Sequence, residues 1–100
     1  MLVLVPMDSE EVQEAQITKV LEAKKWAQLR IEEGELVEVL HSDTFDGFEN
    51  WSEAVVVCSD SEPVMQFMEM SMIVLVAHTQ KTIDDIVEAY LFRELHDLAY

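Results

Sequence analysis

The chain has little that bends or cross-links it: two glycines, two prolines and one cysteine in 100 residues. Half of its residues are hydrophobic, which together with that scarcity excludes a flexible linker or a low-complexity segment. A lone cysteine, Cys58, excludes an internal disulfide and with it a disulfide-held secreted scaffold. Positive charge is also scarce, with 6 Lys and Arg against 21 Asp and Glu. The resulting formal charge of −15 repels phosphate backbones and anionic lipid, so neither nucleic acid nor a membrane surface is an expected partner. The apolar start Met1–Val5 stops at Pro6 and lacks the basic flank and long apolar core of a signal peptide, which makes the cytoplasm the expected setting.

What is present reads as a single domain over residues 1–100, long enough to bury roughly two thirds of its unfolded surface. Three short apolar runs, Leu2–Val5, Ala54–Cys58 and Met72–Ala77, are rich in β-branched residues and uninterrupted, as strands covered on both faces are. Trp26–Glu32 and Glu35–His41 flank Glu33-Gly34 and predict a β-hairpin with at least one solvated face. Thr82 with Asp85 predicts a capping box, after which Ile83, Ile86, Val87, Tyr90, Leu91, Leu95 and Leu98 recur at helical spacing. Ser61 and Pro63 open a second expected helix to about Met70. Between Val12 and Lys25 the pattern predicts a loop and then a short helix, with Ala15, Ile17, Val20 and Leu21 inward. The alternation of element types predicts an α/β fold: a mixed five-stranded sheet with an antiparallel hairpin and helices on its faces.

This order, with Val5-Pro6-Met7-Asp8, QITKVLEAKKW, EEGELVEV, AVVVCS, MIVLVA and the final TIDDIVEAYLFREL, resembles the dinitrogenase iron-molybdenum cofactor biosynthesis family of NifX-like domains. The resemblance implies a ribonuclease H-like fold and, for cluster-handling members, a bound iron-sulfur or iron-molybdenum cofactor precursor. Such members carry a His-Phe-Gly triplet followed by Ala and an aromatic residue. Ala23 and Trp26 stand at the later places, but Lys19, Val20 and Leu21 stand in the triplet, so the ligand histidine is replaced. Ser59–Glu62 and Ser71 likewise stand where the family has glycines.

In an open α/β sheet the ligand crevice lies beyond the carboxyl ends of the parallel strands. That edge would receive Asp8, Cys58, Asp60 and His78. Two readings stand there. Asp8, Cys58 and His78 combine ligand types that suit zinc, iron or copper, although no local ligand spacing supports the set. Alternatively, Cys58 is a small core residue, Asp60 or Ser61 caps a helix, and His78 is a polar strand end. Asp8 and Asp60 invite comparison with magnesium-dependent nucleases, which the overall charge opposes, and a Cys58–His78 dyad lacks any sign of an oxyanion hole. Met65 and Met68 share a predicted helix face with Val64, as core residues do. His41 and His96 are expected at the surface, on a strand end and a helix tail. Phe45, Phe48 and Trp51 either fold back as a lid or offer an aromatic anchor. Lys19, Lys24 and Lys25 either balance neighbouring acids or attract an anionic ligand, with Lys19 in the triplet position. The expectation is a non-enzymatic binding or interaction domain with a protein partner or self-association. The alternative is a carrier of a metal or iron-sulfur precursor through Cys58 and His78.

Overall fold

The computed structural model describes residues 1–98. Six strands form one sheet: β1 (Leu2–Met7), β2 (Lys25–Glu32), β3 (Glu35–Ser42), β4 (Ala54–Val57), β5 (Ile73–Val76) and β6 (His96–Asp97), in the spatial order β3-β2-β1-β4-β5-β6. The three apolar runs lie side by side at its centre. β1 pairs parallel with β4 through Val3 and Ala54, and β4 pairs parallel with β5 from Ala54–Ile73 to Val57–Val76. β4 is buried at all four residues, which explains why its sequence shows no polar alternation. The remaining pairs are antiparallel.

The hairpin forms as expected, one residue longer at each outer end. Glu33 and Gly34 form its two-residue loop, with φ of 52° and 80°, the sign that a type I′ turn needs at both central positions. Its strands differ in environment. β2 is buried on both faces from Trp26 to Leu29, because Ile83, Ile86 and Val87 pack with Ala27 and Leu29 on one side while Phe67 packs with Trp26 and Asn50 and Ser52 cap Gln28 on the other, whereas β3 is the exposed edge.

One sheet face carries α2 (Ile83–Leu91), whose Ile83, Ile86 and Val87 pack with Val3, Val5, Ala27, Leu29 and Val56. The other carries α1 (Met65–Glu69), whose Phe67 packs with Leu4, Trp26, Val55 and Val57. The capping box is present at Thr82 and Asp85. Four expectations are corrected. The final helix does not reach Leu98: it ends at Leu91, Arg93 turns left-handed at φ 57°, and the chain reverses into β6, making six strands where five were expected. Bonds from Arg93 N–H to the Tyr90 carbonyl and from Glu94 N–H to the Ala89 carbonyl form a Schellman ending, which the helical spacing of Leu95 and Leu98 concealed. α1 starts at Met65 and not near Ser61, with no side-chain cap, and its few residues bury Phe67 while Met65 is 67% exposed. The expected helix after Val12 is a single 3-10 turn, Val20–Glu22; three residues per turn bury Val20 and leave Leu21 85% exposed. Lys24 and Lys25 lie beyond it, Lys25 on β2.

Candidate functional site

The parallel strands β1, β4 and β5 run in one direction, so the segments after Met7, Val57 and Val76 meet at one edge of the sheet. Each candidate residue there has a distinct surrounding. Asp8 Oδ1 accepts a hydrogen bond from Gln16 N–H at 2.9 Å while its own N–H donates to the Gln16 carbonyl, so this side chain pins the loop that returns to β1. Cys58 is half-buried and its thiol donates to Glu62 Oε1 at 3.6 Å. The same oxygen accepts from Val20 N–H at 2.8 Å. Glu62 thus ties the turn after β4 to the 3-10 turn. Burial first, and the Glu62 carboxylate second, push the Cys58 thiol above its ordinary value; Lys19 opposes this. A raised thiol is held protonated and is a poor nucleophile. Asp60 and His78 are exposed, and the His78 ring faces that of His96 with centroids 5.9 Å apart.

The edge therefore gathers Lys19 with Cys58 and Glu62, and His78 with His96, and holds Asp8 within its own loop. Among the described residues no group of three or more His, Cys, Asp and Glu side chains is placed to hold a metal ion, so Asp8, Cys58 and His78 share an edge without forming one coordination sphere. Asp60 caps no helix, because α1 begins five residues later with Val64 as its N-cap.

Apolar surface is the other feature of this edge. Leu21, Pro63, Val64 and Met65 line an open hollow of about 510 Å³ together with Glu62 and Gln66. Its floor is fixed by the Glu62 bonds. The helical pattern placed both Leu21 and Met65 inward, but Val20 and Phe67 take the buried positions of the two short helical segments and leave both exposed.

Phe45 and Phe48 fold back over the sheet. Phe45 packs edge-on against Trp26 and Phe67, with centroids 5.9 and 5.2 Å away, while Trp51 stays 60% exposed beside a hollow of about 250 Å³. Sequence reasoning missed the residue that anchors this loop. Gln28, 1% exposed on β2, donates through Nε2 to the Asn50 carbonyl at 3.0 Å and to Ser52 Oγ at 2.8 Å. The available signal was a glutamine in a strand opposite a polar-aromatic loop. Lys25 is held by Asp43 and by Glu10 at 3.5 Å, and the hydrogen bond that its ammonium donates to Asp43 is the main cause that raises its pKa. His41 is half-buried with Nε2 enclosed and unpartnered, not the plain surface residue expected, whereas His96 is exposed as expected but lies in β6 opposite Val76 and not on a helix tail.

No helix among the described residues is long and apolar enough to cross a membrane. No protein-family model matches the chain, and no curated protein matches it. Among solved structures, the crystal structure of PH0822 superposes with a TM-score of 0.75 over 97% of this chain and 96% of that one, at 15% sequence identity. At that identity the likeness extends to the fold alone, a compact α/β architecture shared almost end to end.

Proposed function

We propose that this protein is a cytoplasmic, non-enzymatic interaction domain of the ribonuclease H-like kind, similar to the iron-molybdenum cofactor biosynthesis family with the cluster motif replaced. The strand order supports that reading: a central β1 with an antiparallel hairpin on one side and parallel β4 and β5 on the other. The observation that carries the interaction role is the exposure of Leu21 and Met65 across one hollow at the sheet edge. Side chains of that size left in water next to a rigid floor are what a protein partner covers on binding. Lys19 stands next to the 3-10 turn on a body of charge −15, so the surface that fits here is acidic at its rim and apolar at its centre. A second copy of this acidic chain also satisfies that description.

The test compares the wild-type protein with the double variant Leu21→Asp, Met65→Asp. Partner capture from the source cells and sedimentation of the purified protein are both measured, with circular dichroism as the check on folding. A partner or a dimer present for the wild type and lost in the folded variant is expected. Identical capture and sedimentation by both proteins overturns the docking surface. Visible absorption and metal analysis after growth in iron- and molybdenum-replete medium decide against the interaction role if stoichiometric metal is found and disappears in Cys58→Ala.

A further inference from the structure

The two histidines at the end of β5 meet for a topological reason. Antiparallel pairing places His96 opposite Val76, and His78 follows Val76 by two residues, so the imidazoles are diagonal neighbours across the β5–β6 pair. Their centroids are 5.9 Å apart with ring planes inclined at 49°, and both residues are exposed. From this juxtaposition we propose that His78 and His96 form a two-histidine site for a single borderline transition-metal ion, such as zinc or nickel, with water in the remaining positions. The inference goes beyond the interaction role and does not depend on it.

The geometry supports the assignment. With metal–nitrogen bonds of about 2.1 Å, two imidazoles on one tetrahedral ion have ring centroids about 5 Å apart. Exposed side chains close the remaining gap by small rotations about their χ angles. Imidazole nitrogen is the donor type these ions favour. Two protein ligands leave open positions that water, or a side chain from a docked molecule, completes.

The test is calorimetric titration of the whole protein with zinc chloride and with nickel chloride, in excess magnesium to occupy the surface carboxylates. One equivalent is expected to bind, and His78→Ala and His96→Ala are each expected to weaken it by about tenfold or more, as loss of half of a two-ligand chelate requires. Cys58→Ala and Asp8→Asn are expected to bind as the wild type does. His78 lies outside every strand, so its variant decides the matter if His96→Ala disturbs β6. Unchanged affinity in His78→Ala overturns the site, as does loss of binding in Cys58→Ala or Asp8→Asn; neither result bears on the Leu21 and Met65 surface.

Discussion

Ser71 and Arg93 hold a conformation that their side chains disfavour. Both have left-handed φ, 63° and 57°, and both sit one residue past a helical end: Ser71 N–H bonds the Met68 carbonyl and Met72 N–H the Phe67 carbonyl, the pattern that Arg93 and Glu94 repeat after α2. Helices end this way most often on glycine, which has no Cβ to meet the following carbonyl. With two glycines in the chain, neither end has one. The left-handed penalty of about 1 kcal/mol or more exceeds the entropy that glycine adds to the unfolded chain. Ser71→Gly and Arg93→Gly are each therefore expected to stabilise the fold by about 0.5 kcal/mol. Urea unfolding checks this: a higher midpoint at unchanged slope is expected, and a lower one contradicts the strain assigned here.

At the scale of the element, α2 depends on its first turn. Thr82 Oγ1 accepts from Asp85 N–H at 3.2 Å, and Asp85 Oδ2 accepts from Thr82 N–H at 3.3 Å and Lys81 N–H at 3.4 Å. The Thr82 and Lys81 amides hold the Asp85 carboxyl below its usual value of 3.8. A carboxyl depressed in the folded state adds stability that is complete above its unfolded value and is lost as pH falls through the folded one. Asp85→Asn is accordingly expected to unfold more easily near neutrality and to converge with the wild type as pH drops through the acid range. Thermal melts across that range read the difference directly; a gap that persists in acid removes the carboxylate from the capping role. The capping box was legible because its residues sit three apart in the chain, and the three central strands were legible because burial on both faces leaves no polar residue in them. The end of α2 was not, because Leu95 and Leu98 keep the helical period while packing on opposite sheet faces from the two ends of β6. Nor did the sequence disclose the pairing of His78 with His96, which depends on that reversal, or the outward placement of Leu21 and Met65, which follows from the single inward residue each short segment has, Val20 in one and Phe67 in the other. Local chemistry reads from neighbours in the chain; the candidate site is made of residues from segments far apart in it.

Over the whole molecule, a charge of −15 on 100 residues makes self-repulsion a general term. The ion pairs at Lys25 and Arg30 are exposed and offset little of it. Added salt shortens the range of the repulsion more than it weakens those pairs, so the melting temperature is expected to rise between low and physiological ionic strength. A fall on adding sodium chloride would show that the few ion pairs outweigh the acidic surface. The position of β1 has a bearing on how the chain assembles. It precedes the other five strands and can pair with the hairpin as soon as residue 42 is available, yet its other edge is filled only by Ala54–Val57 and the sheet is extended only once Ile73–Val76 follows. During synthesis a three-stranded half-sheet whose open edge is the wholly apolar β1 waits for residues 54–57, and in that interval the edge is a template on which a strand of a neighbouring copy can pair in place of β4.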